Sequence, residues 1–171
     1  MFKIIVSIFI FSISLFSYET ENILKVVIVG KVAKYITFPE KASKEFVITV
    51  YKNRCGTLFD DTYRNIKIKN KPVKINYIDN IDNIDNLGYT DILYISKITS
   101  SKLSEILKKT NNKDILTISD NRGFAEKGGV IQIYFVSQQL KLKINTQVAT
   151  NKNLKIEPIL LRIADIVKGN Q

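Results

Sequence analysis

Short, continuous runs of β-branched and aromatic residues constrain the fold of this chain more than any other feature. Residues 46–51 (FVITVY), 92–96 (ILYIS) and 115–119 (ILTIS) are rich in apolar residues at consecutive positions. A strand with one face in water alternates apolar and polar residues, so continuous runs indicate strands that are buried on both faces. A largely parallel sheet with helices packed on each side is the architecture that buries such strands.

Helical segments are expected between these strands. Residues 20–38 carry apolar side chains at helical spacing, and the predicted helix stops at Pro39 because proline disfavours helical geometry in the residue before it. A short helix is predicted over 56–64, a strand over 73–78, and a longer helix after Ser100, which is a suitable N-cap. This strand–helix–strand order predicts parallel strands joined by right-handed crossovers.

The C-terminal third has a different pattern. Residues 130–136 and 140–144 flank a tight turn, and apolar residues alternate with lysines in the second segment. This pattern predicts an antiparallel hairpin at the edge of the sheet. Pro158 then opens a last helix, expected to run to Val167 with an apolar face docked on the sheet. The predicted fold is α/β: a single three-layer domain with a mixed sheet, parallel βαβ units, a C-terminal antiparallel hairpin and helices on both faces.

The N-terminus predicts export. Lys3 precedes an apolar run over 4–16, and a polar turn follows. A basic start, a short hydrophobic middle and a small residue at the cut are the order of a secretory signal peptide, and the run is shorter than the ~20 residues of a membrane-spanning helix. We therefore expect a signal peptide over 1–17, a mature domain over 18–171 and a periplasmic location.

The absence of histidine removes several common kinds of catalytic site. Without it the chain lacks the usual general base, the usual zinc ligand and every Ser-His or Cys-His pair.

The Asp-Asn repeat over 79–86 lacks the glycine and the closing glutamate of a calcium loop. The glycines over 123–129 come before a strand, whereas a phosphate-binding loop follows one. We expect no enzymatic activity, no metal and no cofactor.

Charge and cysteine content narrow the choice of partners. The formal net charge is +10, from 26 basic and 16 acidic residues, but the basic residues are scattered and no nucleic-acid recognition motif accompanies them. We expect no nucleic-acid binding. Solvated lysines that keep the protein soluble are the favoured interpretation of the charge, and attraction to an acidic partner face or to the anionic membrane surface is the alternative. Cys55 is the only cysteine, so an internal disulfide is impossible. A small buried thiol is favoured, and a bridge between two copies is the alternative.

Several segments together resemble the YfiR family of periplasmic proteins. The segments similar to the family's signature are Gly123-Phe124-Ala125-x-x-Gly128-Gly129-Val130-Ile131, residues 142–145 (LKIN), Phe38-Pro39, residues 116–120 (LTISD) and residues 160–167 (LLRIADIV). The resemblance covers about residues 23–167. The chain departs from the family pattern at Phe38, where Trp is common, and at Pro158, where Ser is common. It also has a single cysteine where some members have two disulfides.

The resemblance implies a homodimeric periplasmic repressor. Such a protein binds the periplasmic sensory domain of a membrane-bound diguanylate cyclase and holds the cyclase inactive, which lowers cyclic dimeric GMP and biofilm formation. An outer-membrane lipoprotein that sequesters the repressor is the second partner implied. The residues we expect at the partner contact are Gly123, Phe124, Gly128, Gly129, Asn145 and Arg162.

Other interpretations remain open at the level of sequence. Phe124 as core packing, Asn145 as a tie to local backbone and an ion pair between Arg162 and Asp165 are the structural alternatives for the candidate residues. For the whole chain, one alternative is a periplasmic ligand-binding sensory module for a histidine kinase or transporter, with a cleft near Ser96 and Ser119. The other is an enzyme that uses Asp, Tyr or Lys without histidine.

Overall fold

The computed structural model describes residues 19–40 and 42–167. The predicted signal peptide over 1–17 lies outside the described residues. Within these ranges, no helix is both long enough and apolar enough to cross a membrane.

Helices and strands alternate through most of the chain. In chain order they are α1 (19–33), β1 (Ile36–Thr37), β2 (Phe46–Tyr51), α2 (Leu58–Tyr63), β3 (Lys67–Ile68), β4 (Lys71–Ile78), a 3₁₀ helix (Ile81–Ile84), β5 (Ile92–Ile95), α3 (Ser100–Thr110), β6 (Leu116–Ser119), β7 (Ile131–Val136), β8 (Gln139–Asn145), α4 (Thr146–Asn151), β9 (Lys155–Ile156), α5 (Pro158–Arg162) and β10 (Asp165–Val167).

One mixed sheet of eight strands organises the molecule, in the order β10-β8-β7-β6-β5-β2-β4-β3. Neighbours from β4 through β2, β5 and β6 to β7 pair in parallel, and β7 and β8 form an antiparallel hairpin. The predicted α/β architecture with parallel units and a C-terminal hairpin is confirmed, but the hairpin does not lie at the edge of the sheet, because β10 pairs with the outer side of β8. Ser137 and Gln138 both adopt positive φ at the hairpin turn, which matches the twist of the two strands.

The two faces of the sheet bury separate apolar clusters. On one face, α1 and α2 pack against the strands through Val26, Val29 and Phe59. On the other face, α3 packs through Leu103 and Ile106. The continuous apolar runs therefore serve both clusters, as a doubly covered parallel sheet requires.

Tyr63 joins the two helices of the first face. Its hydroxyl donates to the carbonyl of Val26 at 2.6 Å and accepts from the amide of Gly30 at 2.7 Å. These two groups are partners in a regular helix, so the tyrosine enters the hydrogen-bond ladder of α1 from the side. A side chain at position 30 would meet the ring, since a Cβ there would lie 2.6 Å from its Cε1.

The ends of the chain differ from the sequence prediction. The first helix ends at residue 33, before Pro39, because Ile36 pairs with Ile156 in a small antiparallel sheet of β1 and β9. The predicted long last helix is wrong: α5 ends at Arg162, and β10 then pairs in parallel with β8. Ile166 and Val167 are β-branched and suit a strand, and the ladder with β8 outweighs the helical spacing.

We predict that Tyr63→Phe lowers the free energy of unfolding by about 1–3 kcal/mol, because it leaves two buried backbone groups without their shared hydroxyl. Urea denaturation measures the change. Tyr35→Phe is the control, since Tyr35 is 39% exposed and its loss of a hydroxyl should change stability by no more than ~0.5 kcal/mol. Equal losses in both variants would contradict the role given to Tyr63.

Candidate functional site

Residues 123–129, called here the glycine loop, lie in the connection from β6 to β7, which contains no helix. Gly128 has φ of +102°, a conformation that L side chains rarely adopt. Gly129 closes over Phe124, and a Cβ at position 129 would lie 2.1 Å from the ring carbon Cε1. Phe124 is fully buried, so the structure shows its core alternative: the ring supports the loop from beneath.

Asn145 also fixes the glycine loop, through its buried side chain. Its side-chain amide donates to the carbonyl of Ala125 at 2.9 Å, and its carbonyl oxygen accepts from Val148 N at the start of α4. The residue is completely buried, so it ties down backbone and does not itself form a surface. Gly123 and Gly128 are half-exposed in the loop that Asn145 holds.

Charged and polar side chains of the C-terminal strands meet the glycine loop. Lys143 of β8 donates to Glu126 of the loop at 2.7 Å, and its ammonium lies 5.6 Å from the centre of the Tyr134 ring. That hydrogen bond holds the pKa of Glu126 below its usual value. Tyr134 in turn donates to Asp165 of β10. We call Glu126, Tyr134, Lys143 and Asp165 the hairpin face.

Arg162 does not take part in this network, although the sequence suggested an ion pair between Arg162 and Asp165. No ion pair links Arg162 and Asp165 among the described residues; Asp165 accepts from Tyr134 instead. Because the last helix stops at Arg162, the helical spacing that would align the two side chains does not exist. Arg162 is exposed at the end of α5.

A cleft of about 390 Å³ lies at the carboxyl ends of β5 and β6, beside the first turns of α1. Lys25 of α1 crosses it to pair with Asp120 at 2.8 Å, and both side chains are largely buried, at 10% and 15% exposure. Ser96 lines the cleft and is 2% exposed. The Oγ of Ser96 and the Oδ1 of Asp120 are both buried without a hydrogen-bond partner among the described residues.

Ser119, expected beside Ser96, has a structural role. Its hydroxyl donates to the carbonyl of Ile95 at 2.7 Å and accepts from the Asn121 side chain, also at 2.7 Å. Asn121 also donates to the carbonyl of Ser96 and accepts from Ile98 N. This network closes the edge of the sheet behind the cleft.

Cys55 forms part of the wall of the same cleft. It is 7% exposed and unpaired, which is the buried thiol that the sequence favoured. Burial raises the pKa of the Cys55 thiol; the charge of Lys25 opposes this shift, and that of Asp120 adds to it.

A protein-family model described as YfiR/HmsC-like matches residues 22–165 of the chain. The chain belongs to the YfiR/HmsC-like family. This confirms the resemblance seen in the glycine loop and its neighbours, and the family is one of periplasmic regulators. No curated protein matches the chain.

Solved structures share the fold at low sequence identity. A conserved domain protein from Vibrio cholerae gives a TM-score of 0.56 at 12% identity, over 86% of this chain and 60% of that one. An ABC domain in complex with L-Trp from Streptococcus pneumonia gives 0.55 at 10% identity, over 81% and 59%. A ligand-free, open substrate-binding protein with adhesive properties from Clostridium difficile gives 0.50 at 13% identity, over 73% and 55%. This chain therefore spans less than two thirds of each structure, and the likeness shows the fold alone.

The sequence located the glycine loop but not the ion pair in the cleft. Lys25 and Asp120 are 95 residues apart, and each looks like an ordinary surface charge in the sequence. The sequence position of Asp120 could have indicated a site. Asp120 directly follows a buried strand, and open α/β sheets bind ligands at the carboxyl ends of their strands. Lys25 lies within the apolar pattern of α1, and only the packing of that helix shows that it points inward.

We predict that Gly129→Ala lowers the free energy of unfolding by about 1–3 kcal/mol, because its Cβ would overlap the buried Phe124 ring. Gly88→Ala is the matched control, since a Cβ at position 88 meets nothing within 4 Å. Urea denaturation of both variants gives the comparison. A neutral Gly129→Ala would show that the loop can shift away from Phe124 at no cost.

We predict that Cys55 in the folded protein reacts with iodoacetamide at least about tenfold more slowly than in the urea-unfolded chain at pH 8, because burial hinders access and raises its pKa. The rate in the folded protein should go on rising above ~8.5, the ordinary thiol pKa. Mass spectrometry of the alkylated fraction against time measures both rates. Equal rates would mean that the thiol is open to solvent.

Proposed function

We propose that this protein is a homodimeric periplasmic repressor that binds the sensory domain of a membrane-bound diguanylate cyclase and holds the cyclase inactive. The observation that carries the proposal is the YfiR/HmsC-like family match across residues 22–165. Release of the repressor, through capture by an outer-membrane lipoprotein, would raise cyclic dimeric GMP and promote biofilm growth.

Repression of this kind needs no catalytic residue in the repressor. A cyclase that exchanges between active and inactive arrangements shifts toward the one that the repressor binds more tightly. Each tenfold preference is worth about 1.4 kcal/mol, and a shift from mostly active to mostly inactive takes about 5.5 kcal/mol. Contacts on one ordinary protein surface can supply a difference of that size.

The glycine loop and the hairpin face are the surface we assign to the cyclase. Phe124 and Asn145 fix the loop from beneath, so its shape is set before a partner arrives and little order has to be gained on binding. Lys127 is exposed on the loop, and Lys143 and Glu126 present a charged pair beside it. The formal net charge of +10 favours approach to an acidic partner surface or to the anionic membrane in which the cyclase is embedded.

We expect the tagged protein, recovered from its own cells with detergent-solubilised membranes, to co-purify with a membrane diguanylate cyclase. Deletion of its gene should raise cellular cyclic dimeric GMP.

Lys127→Glu should reduce the recovered cyclase by about tenfold. Lys108→Glu, at an exposed lysine of α3, should leave recovery unchanged. Mass spectrometry of the captured proteins and measurement of the nucleotide are the readouts. Absence of a cyclase together with an unchanged nucleotide level would refute repression.

A further inference from the structure

We propose that the cleft between α1 and the carboxyl ends of β5 and β6 binds a small hydroxylated organic acid, with its hydroxyl groups inward and its carboxylate at the mouth. The binding requires no partner protein, so this inference goes beyond the repression of a cyclase and stands independently of it.

The position of the cleft is one that the topology creates. After β2 the chain crosses to β4 through α2 on one face of the sheet, whereas after β5 it crosses to β6 through α3 on the other face. The connections that follow β2 and β5 therefore run in opposite directions. They leave a crevice at the carboxyl ends of these two strands, which is where open α/β sheets bind ligands. Arg54 and Cys55 come from one side of this crevice, and Ser96 and Lys97 come from the other.

The unpartnered polar groups in the cleft point to a ligand. Ser96 is 98% buried, yet its hydroxyl has no hydrogen-bond partner among the described residues, and the same holds for the Oδ1 of Asp120. Buried polar groups in folded proteins are nearly always paired, because an unpaired one costs stability. Two such groups in the walls of one cleft are explained if a bound molecule supplies the missing partners.

The chemistry of these groups selects hydroxyls for the inner end of the ligand. An ionised Asp120 only accepts hydrogen bonds, while the Ser96 hydroxyl can donate or accept. A ligand with neighbouring hydroxyls can donate one hydrogen bond to the Asp120 carboxylate. It can also donate a hydrogen bond to the Ser96 hydroxyl or accept one from it. An ammonium could also donate to Asp120, but Lys25 already occupies the other carboxylate oxygen with its own positive charge.

Charge and shape select the rest of the ligand. Lys25, Arg54 and Lys97 line the cleft against the carboxylates of Asp120 and Glu21, and this excess of cations favours an anion. Arg54 and Lys97 are exposed at the mouth, where a carboxylate would meet them. Tyr94, Tyr134 and Phe135 add aromatic surface for the carbon skeleton of the ligand. The volume of about 390 Å³ lies at the small end of the range for ligand pockets, which suits a molecule of about monosaccharide size.

The two unpartnered oxygens, Ser96 Oγ and Asp120 Oδ1, are shielded from solvent, so a ligand can reach them only if side chains in the cleft move. Cys55 shares the wall and reports on this movement without any activity assay. A molecule seated in the cleft should protect the thiol from alkylation, whereas one bound elsewhere on the cationic surface should not.

The test uses the purified protein and three probes: D-glucuronate, which has hydroxyls and a carboxylate, D-glucose, which has hydroxyls alone, and hexanoate, which has a carboxylate alone. Calorimetric titration should show binding of glucuronate, binding of glucose at least about tenfold weaker, and no binding of hexanoate. Glucuronate should also slow the alkylation of Cys55. Equal binding of glucose or hexanoate would overturn the ligand class, and binding of none of the three would overturn the proposal.

Two substitutions locate the binding. Ser96→Ala removes only the unpartnered hydroxyl, so it should keep or raise the free energy of unfolding in urea while weakening the binding of glucuronate about tenfold. Asp120→Asn should weaken glucuronate by a similar factor or more. Ser101→Ala on α3 and Asp82→Asn in the 3₁₀ helix, both exposed, are the controls and should bind as the unmodified protein does. Unchanged binding in both cleft variants would place the ligand elsewhere and overturn the site.

Discussion

The entry of Tyr63 into the hydrogen-bond ladder of α1 is the contact on which much of this structure depends. Burial of apolar side chains is not directional, whereas a hydrogen bond fixes one residue of a helix against one particular partner. The Tyr63 hydroxyl fixes α1 at one turn, between Val26 and Gly30, and burial raises the pKa of the phenol, so it stays protonated and able to donate. The absence of a side chain at Gly30 is what allows the ring to approach.

Fixing α1 also determines what the carboxyl edge of the sheet can bind. Lys25 precedes Val26 directly, so the turn held by Tyr63 is the one that delivers the ammonium to Asp120. Asp120 in turn lies three residues before Gly123, and Asn121 between them bonds to the backbone of Ser96 and Ile98. The cleft and the glycine loop therefore share one short segment, although they differ in chemistry.

Local sequence pattern was sufficient where the residues of an element themselves show how the element is buried. The runs at β2, β5 and β6 could be assigned nearly to the residue, because each is apolar on both faces and short enough to exclude a helix. The pattern failed at β1, β9 and β10, strands of two or three residues that exist only through pairing with distant segments. The same limit applied to the candidate sites: the glycine loop is contiguous and was located, whereas the Lys25–Asp120 pair is brought together only by the tertiary fold.

The single buried cysteine has a consequence for how this protein reaches and keeps its folded state. With one thiol in the whole chain, no covalent cross-link ties distant segments together, and every long-range tie within a single copy of the chain is a packing contact, a hydrogen bond or an ion pair. Folding need not wait for an oxidant or for the exchange of mismatched disulfides. A reducing or oxidising shift in its surroundings thus finds no internal disulfide to make or break.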